Sequence, residues 1–226
     1  MIFQLNPDRE GPMRQAIRRE LQTSPGYFSV LEIGSWSGES AILWAQEIRD
    51  AGQGGVVVCV DPWAPYFKPE DMVNRIVKEM DRMARDGSIL EVFTRNIETA
   101  GVSAYIVPIR SKSVNALPIL QKGFFDFVYI DGSHAHKDVS VDIALSKRLV
   151  QSGGLLCGDD LEMQRDDISV EEFSRCMESR DLDITYVSTG YLHPGVMIAV
   201  DDEFGRVHCE NGFWSVRRDG DKWVSE

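Results

Sequence analysis

Basic residues are scarce in this sequence relative to acidic ones. The chain has 24 Lys and Arg against 36 Asp and Glu, which gives a formal net charge of −12. A chain this acidic repels the phosphate backbone of nucleic acids, so we expect no nucleic-acid partner. The nearest candidates for a basic patch, Arg14, Arg18 and Arg19 and then Arg217 and Arg218, lie far apart in sequence and are interpreted as solvated surface.

Long apolar runs are also lacking. No run approaches the roughly 20 residues that a helix needs to cross a bilayer. The first residues do not combine a basic region with a following apolar stretch, which is the pattern of a secretory signal. We therefore expect no membrane partner and a cytoplasmic location.

Cysteine is too sparse and too scattered to form a framework. The 226 residues include 4 cysteines, and no two of them have the C-x-x-C spacing, so neither a zinc site nor a disulfide framework is predicted. The G-x-x-x-x-G-K-[ST] pattern of phosphate-binding loops is absent as well, which excludes that class of nucleotide triphosphatase. The cysteines are Cys59, Cys157, Cys176 and Cys209.

The sequence does contain a regular alternation of apolar β-type runs and helical stretches. This alternation is typical of an α/β, doubly wound, Rossmann-like sheet that is mostly parallel and carries helices on both faces. No repeat, low-complexity tract or linker interrupts it, so residues 1–226 are predicted to form a single domain. Strands are predicted at residues 29–33, 56–60, 104–109, 125–130 and 154–157.

Several further elements are predicted around this sheet. A helix is expected N-terminal to the first strand at about residues 8–22, and another at 114–122. Residues 184–188 and 196–200 are predicted to pair as a hairpin across a Gly/Pro turn. The tail, at about residues 203–226, alternates apolar and polar residues around two Gly turns and is predicted to form a C-terminal antiparallel hairpin.

A helical insertion is predicted after the second strand, at about residues 64–100. A helix pattern beginning at Pro69 places Met72, Ile76, Met80 and Met83 on one face. Such a face is typical of core or lid packing, and its position makes the insertion a candidate wall for a ligand pocket. The oligomeric state stays open, although this face and the C-terminal hairpin could support a homodimer or a higher homo-oligomer.

A glycine-turned loop follows the first strand, between Gly34 and Gly38. Glycine allows a sharp turn and close backbone approach, and the following helix start offers free N–H groups to a ligand. Asp61, at the end of the second strand, could accept both ribose hydroxyls of a nucleoside, or it could be a turn residue before a proline. Trp63 could lie against an adenine ring or pack in the core. A glycine loop with a second-strand acid also fits an NAD-type oxidoreductase, although the third glycine of that pattern is missing.

Three aspartates follow the fourth and fifth predicted strands. Asp131, Asp159 and Asp160 should meet at adjacent strand ends. Carboxylates that lie so near one another favour the binding of a divalent, oxygen-preferring cation. Alternatively, they serve as turn and cap residues. His134 is near enough in sequence to face the same pocket, either as a general base or as a residue that begins a helix or supports a metal ligand.

Two stretches resemble a known family. Leu31-Glu-Ile-Gly-Ser-Trp-Ser-Gly-Glu-Ser40 resembles the cofactor loop of class I S-adenosylmethionine methyltransferases, including the acidic Glu32. Asp131-Gly-Ser-His134, with Val139, Asp142-Ile143, Gly153-Gly154 and Gly158-Asp-Asp160, resembles the metal-dependent sugar O-methyltransferases of the macrocin and mycinamicin type. It is also similar to the related cephalosporin hydroxylase and rhamnosyl O-methyltransferase groups (methyltransferase family 24). The resemblance covers roughly residues 30–161.

The resemblance implies a function and a set of roles. Asp131, Asp159 and Asp160 would hold Mg²⁺ or another divalent cation, and His134 would be the general base that deprotonates a hydroxyl of a small acceptor such as a sugar or glycoside. His134 and Asp131 are thus the expected catalytic residues. The alternatives are a metal-independent methyltransferase with another acceptor, an NAD-type oxidoreductase and a non-catalytic binding subunit. The residues expected to contact S-adenosylmethionine are Glu32, Gly34, Ser35, Trp36, Ser40, Asp61, Trp63, Ser111, Asp131, Gly132 and His136.

Overall fold

Ten strands and eight α-helices occur in the computed structural model, which describes residues 7–66 and 75–225. The strands are β1 Tyr27–Ile33, β2 Gly54–Asp61, β3 Ile106–Arg110, β4 Phe125–Ile130, β5 Val150–Gly158, β6 Thr185–Val187, β7 Gly190–Leu192, β8 His208–Glu210, β9 Phe213–Asp219 and β10 Lys222–Ser225. The helices are α1 Pro7–Thr23, α2 Glu39–Asp50, α3 Arg75–Asp86, α4 Ser88–Thr99, α5 Ser113–Ala116, α6 His136–Lys147, α7 Val170–Glu178 and α8 Pro194–Phe204.

The central sheet has the strand order β10-β9-β5-β4-β1-β2-β3. Strands β1 to β5 pair in parallel, and β9 pairs antiparallel with β5 and with β10. The apolar runs of β1 and β4 are buried because helices cover both faces, as expected for a parallel sheet. The predicted mostly parallel, Rossmann-like sheet with antiparallel C-terminal strands is confirmed. None of the helices in the described part of the chain has the length and apolarity needed to cross a membrane.

Helix α1 is tied to the rest of the fold by ion pairs. Arg14 and Arg18, on its exposed side, both contact the carboxylate of Glu47 on α2, at 2.5 and 2.6 Å. Arg217 on β9 pairs with Glu20 of α1 at 2.6 Å. Residues interpreted from sequence as solvated surface therefore dock α1 between the second helix and the C-terminal strands.

Two of the predicted elements are wrong in the structure. Residues 196–200, predicted as a strand, lie in α8, and the partner of β6 is β7. The run is apolar and wholly buried, so its periodicity does not distinguish strand from helix, while Pro194 at the first turn favours a helix. The helix predicted at 114–122 ends after one turn at Ala116, because Pro118 lacks the N–H that an α-helix needs.

The insertion after β2 contains two helices in its described part, α3 and α4. Met83 is buried on the inner side of α3, whereas Ile76 is 63% exposed, so the predicted apolar face is only partly used for packing. Pro69 and Met72, which belong to the predicted start of this pattern, lie outside the described residues.

Backbone hydrogen bonds align the carboxyl ends of the strands. The N–H of Asp131 donates to the carbonyl of Ile33 at 2.8 Å, and the N–H of Asp159 donates to that of Ile130 at 3.1 Å. On the other side of β1, the N–H of Gly34 donates to the carbonyl of Val60 at 3.0 Å. The loops that follow β1, β2, β4 and β5 therefore share one edge of the sheet, where ligands of such folds bind.

Candidate active site

The glycine loop after β1 packs directly against the loop after β4. Gly34 has a φ of 85°, and a Cβ atom there would lie 2.0 Å from the carbonyl oxygen of Asp131. Gly38, with a φ of 86°, immediately precedes α2. Glycine is required at position 34 by both the backbone conformation and the close approach, so the two loops form one tightly joined unit.

The side chain of Asp61 organises this loop. One carboxylate oxygen accepts hydrogen bonds from the N–H groups of Ser35 and Trp36, each at 3.0 Å, and the other accepts from the N–H of Trp63 at 2.6 Å. Burial raises the pKa of Asp61, and these three N–H donors partly offset that effect. Within residues 7–66 and 75–225, four residues other than glycine have a positive φ, and two of them, Trp36 and Trp63, are held in this conformation beside Asp61.

Glu32 lies beneath the loop and is fully buried. The indole N–H of Trp44 on α2 donates to its carboxylate at 2.8 Å. Burial raises the pKa of Glu32 to about 7, although the hydroxyl groups of Ser35 and Ser40 and the Trp44 indole act in the opposite direction. Glu32 thus links β1, the loop and the first turn of α2.

The other residues expected at the cofactor site occupy distinct positions. Trp63 is fully buried against Phe93, with ring centroids 4.8 Å apart, as in the core-packing interpretation. The side chain of Trp36 is partly exposed, and its ring meets that of Tyr66 edge to face. The N–H of Ser111 donates to the Asp61 carbonyl at 3.0 Å, which ties the end of β3 to the end of β2.

Asp131, Asp159 and Asp160 line one pocket together with His134 and Gly132. Two consecutive strand residues normally point to opposite sides of a sheet, but Asp160 has a φ of 63°, and its N–H donates to the Asp159 carboxylate at 2.9 Å. The left-handed conformation therefore lets both carboxylates reach the same pocket. The structure brings together the three predicted metal ligands and the predicted base.

Tyr129 connects two of these carboxylates from below. Its hydroxyl group lies 3.2 Å from Oδ2 of Asp159 and 3.4 Å from Oδ2 of Asp131. Burial raises the pKa of Asp131 well above its usual range, and Asp159 and Asp160 add to the effect. Burial and Asp160 also raise the pKa of Asp159 to about 6, with Arg9 opposing them.

A buried arginine of α1 neutralises part of this acidic cluster. Nη1 of Arg9 lies 2.6 Å from Oδ1 of Asp159 and 2.7 Å from Oδ1 of Asp160, and Nη2 lies 2.9 Å from Glu162. The side chain of Arg9 is only 11% exposed. Burial lowers the pKa of Arg9, but the two aspartates outweigh burial and hold the guanidinium charged.

His134 stands between two carboxylates. Its Nε2 lies 2.9 Å from Oδ2 of Asp160, and its Nδ1 lies 2.6 Å from Oδ1 of Asp183. The ring of His193 meets the ring of His134 edge to face at 4.3 Å, and its own Nδ1 lies 3.1 Å from Glu162. Burial lowers the pKa of His134, but Asp160 and Asp183 outweigh burial and raise it well above its usual value.

His136 has a different environment from that of His134. It is the first residue of α6, its Nε2 lies 3.3 Å from Asp202 of α8, and Ser140 is within 3.4 Å of the same atom. Its N–H donates to the carbonyl of Arg180 at 2.9 Å. The described contacts thus give His136 a role in joining α6, α8 and the segment after α7, and its predicted contact with a cofactor stays a prediction.

Three sets of side chains in the described part of the chain bring ligand atoms close enough to hold a cation. One consists of Asp131, His134 and Asp160, whose ligand atoms lie within 4.8 Å of one another. The others combine His193 with His134 and Asp183, and His193 with Asp160 and Glu162. The two carboxylates and the imidazole of the first set are donors that fit a divalent ion. Oδ1 of Asp159 and Oδ1 of Asp160, in contrast, face Arg9.

Sequence reasoning missed four residues of this site. They are Arg9, Glu162, Asp183 and His193, which contact predicted site residues or one another. They come from α1, the loop after β5 and the segment that includes β6 and β7, which carry no motif. The sequence offered one signal, for Arg9: it precedes Met13 by one helical turn and therefore lies on the same, buried side of α1.

Solved structures with this fold include several methyltransferases. Rv0187 from MTB, described as cofactor-bound, is 19% identical over 93% of this chain and 79% of its own, with a TM-score of 0.52. The O-methyltransferase TomG from Streptomyces achromogenes, solved with SAM, is 15% identical over 96% and 82%, with a TM-score of 0.53. The O-methyltransferase NovP is 16% identical over 94% and 80%, with a TM-score of 0.60. At these identities the likeness shows the shared fold.

The sequence itself identifies the family. No curated protein matches the chain in sequence. The profile of the family described as a methyltransferase domain, Methyltransf_24, matches residues 31–161, which is more than half of the chain. This range runs from the glycine loop to the acidic pair, so it contains the residues on which the resemblance was based. The chain belongs to this methyltransferase-domain family and is a methyltransferase of Rossmann-like fold.

Proposed function

We propose that this methyltransferase transfers the methyl group of S-adenosylmethionine to a hydroxyl group of a small molecule, such as a sugar or glycoside, with help from a divalent cation. The observation that carries the proposal is the pocket in which Asp131, Asp160 and His134 meet beside the glycine loop. TomG and NovP, which share the fold, are O-methyltransferases by name.

The glycine loop and Asp61 fit S-adenosylmethionine. Gly34 joins the glycine loop to the loop after β4, and Asp61, which anchors the glycine loop, retains lone pairs that could accept ribose hydroxyls. When bound, S-adenosylmethionine supplies a methyl group on a sulfonium centre, which a hydroxyl oxygen can take by direct displacement. The protein must then hold the acceptor in line and remove its proton.

The inner carboxylates fit Mg²⁺ or a similar ion. Asp131 and Asp160 offer hard oxygen ligands. Oδ2 of Asp159 shares the Tyr129 hydroxyl group with Oδ2 of Asp131. A bound divalent cation would lower the pKa of an acceptor hydroxyl. Five carboxylates surround Arg9 and the two histidines in this region, so the site retains negative charge for a further cation; they are Asp131, Asp159, Asp160, Glu162 and Asp183.

His134 is the proposed base. Asp183 holds Nδ1, which leaves Nε2 as the atom that accepts the proton of the hydroxyl group. In the structure Nε2 faces Asp160, which favours the protonated ring, so His134 becomes a base only when Asp160 is satisfied by another partner. This requirement links proton removal to occupation of the inner carboxylates.

Two measurements test the proposal. Calorimetric titration with S-adenosylhomocysteine, with and without Mg²⁺, should give micromolar or tighter binding, and NAD should not bind. Methyl transfer from radiolabelled S-adenosylmethionine to a panel of sugars, glycosides and phenols should then be lost on treatment with EDTA and restored by Mg²⁺.

The same measurements separate the alternatives. Arg9 already neutralises Asp159 and Asp160, which is the one observation that favours a metal-independent methyltransferase. Methyl transfer that survives EDTA would establish that alternative. Tight binding of NAD, without binding of S-adenosylhomocysteine, would contradict the proposed cofactor.

A further inference from the structure

Arg9 is a buried charged group of the site that the proposed reaction does not use. It belongs to α1, outside the part of the chain that matches the family, yet its guanidinium group touches both members of the acidic pair. The contacts are selective: Nη1 meets Oδ1 of each aspartate, while the Oδ2 atoms face Tyr129 and His134.

We propose that Arg9 is a positioning residue that orients the Asp159 and Asp160 carboxylates through their Oδ1 atoms. Their Oδ2 atoms, on the side of Tyr129 and His134, then remain available to the divalent cation. The inference rests on the proposed function, because it assigns a role toward the proposed cation. A planar guanidinium group donates in fixed directions, so it holds two carboxylates in one orientation more strictly than a point charge does.

Arg9 is itself held in place by hydrogen bonds and by the turn that contains Gly212. Its Nε donates to the carbonyl of Asn211 at 3.0 Å, and Nη2 lies 2.9 Å from Glu162. A Cβ atom at Gly212, whose φ is 91°, would lie 3.0 to 3.1 Å from the guanidinium group, so glycine at this turn leaves room for it. The same turn also contacts the segment that follows β5, because the N–H of Leu161 donates to the carbonyl of Gly212 at 3.0 Å.

The backbone conformation of Asp160 explains why the two carboxylates need a residue that orients them. Its φ of 63° is a left-handed conformation that residues other than glycine adopt only at an energetic cost, and it is what turns the two carboxylates to one side. Two adjacent carboxylates repel each other, and a cation between their Oδ1 atoms removes that repulsion. Arg9 thus offsets both costs at the point where the ligands must be presented.

The test measures cation affinity with Mn²⁺ as the probe, in the full chain saturated with S-adenosylhomocysteine. Arg9→Gln should weaken Mn²⁺ binding by at least about tenfold, in the range seen when residues that orient metal ligands are removed. Arg9→Lys keeps the positive charge but lacks the planar guanidinium group, so it should recover only part of the Mn²⁺ affinity. Arg14→Gln, which removes an ion pair of the same helix to Glu47, is the matched control and should leave Mn²⁺ affinity unchanged.

Each outcome has a defined meaning. Equal or tighter Mn²⁺ binding by Arg9→Gln overturns the positioning role, and tighter binding would identify Arg9 as a competitor of the cation. An equal loss in Arg14→Gln would assign the effect to the docking of α1 rather than to Arg9, and would also overturn it. If the wild type binds S-adenosylhomocysteine but no Mn²⁺, the metal part of the proposed function fails, and the positioning role fails with it.

Discussion

The two halves of the site hold their carboxylates by different means. Asp61, beside the glycine loop, is held by three backbone N–H groups, which are neutral and form part of the sheet edge. Asp160 is held by Arg9 and His134, which are charged side chains from α1 and from the loop after β4. The first arrangement, which we call the Asp61 cradle, has a fixed geometry because its donors are backbone groups. The second depends on the balance of nearby charges, which the binding of another cation can change.

This difference matches the two proposed tasks. A cofactor loop must present the same geometry in every turnover, and backbone donors can do so without moving. A base must lose and regain a proton, and a cation ligand must exchange partners, so these groups depend on the charges around them. We therefore expect substitutions in the two halves to separate in their effects.

The largest expected effect is on turnover in the acidic half. His134→Ala should lower the rate of methyl transfer by about 10²–10⁴-fold, the usual contribution of a general base. Its affinity for S-adenosylhomocysteine should stay within twofold of the wild type, because the Asp61 cradle is untouched. Asp183→Asn, which leaves Nε2 in place, should reduce the rate less and alter its pH profile; unchanged turnover in His134→Ala would contradict the base assignment.

The next effect is on stability at the junction of the two halves. Gly34→Ala places a Cβ atom 2.0 Å from the Asp131 carbonyl oxygen, and also strains a φ of 85°, so the free energy of unfolding should fall by about 3 kcal/mol or more. The matched control is Gly220→Ala, with a φ of 59° and no atom within 4 Å of the added Cβ. Urea denaturation should show a loss of about 1 kcal/mol for the control, from backbone strain alone. Equal losses would contradict the proposed contact.

A pH-dependent effect is expected at Glu32. Burial raises its pKa to about 7 in the folded chain from its ordinary value of 4.5, so the folded state keeps a proton that the unfolded state releases between these values. Stability is therefore fully present below pH 4.5 and falls as the pH rises to about 7. Glu32→Gln removes the titration and should gain up to about 3 kcal/mol over the wild type at pH 8, from about 1.4 kcal/mol per pKa unit, and nothing at pH 4. Urea denaturation at the two pH values measures the difference in stability between the variant and the wild type. The same difference at both pH values would show that the titration of Glu32 is not its cause.

The smallest expected effect is on cofactor affinity. Asp61→Asn keeps one oxygen for the loop N–H groups but loses the charge, and it should weaken binding of S-adenosylhomocysteine by about 10- to 30-fold, or about 2 kcal/mol. Asp160→Asn should leave that affinity within twofold while reducing Mn²⁺ binding. Calorimetry of both variants with both ligands tests the separation, and a shared loss of both affinities would show that the two halves act as one.

The sheet and its strand-end residues could be predicted because they depend on local signals. Apolar runs identified β1 to β5, and parallel strands bring their carboxyl ends to one edge, so Asp61, Asp131 and Asp159 followed from position alone. The run at 196–200 could not be assigned, because a wholly buried helix shows no periodicity. Arg9 and Asp183 could not be found either, since their roles depend on packing between segments far apart in sequence.

The contact between Arg9 and the Asn211–Gly212 turn joins residues that are 202 positions apart. Closing so long a loop is slow and comes late in folding, after the local elements of the sheet have formed. During synthesis the glycine loop can assemble once β1, β2 and β4 are available, but Nε of Arg9 lacks its acceptor until Asn211 has been made. The order of the chain thus separates the two halves of the site in time, with the cofactor cradle complete first and the charged half last.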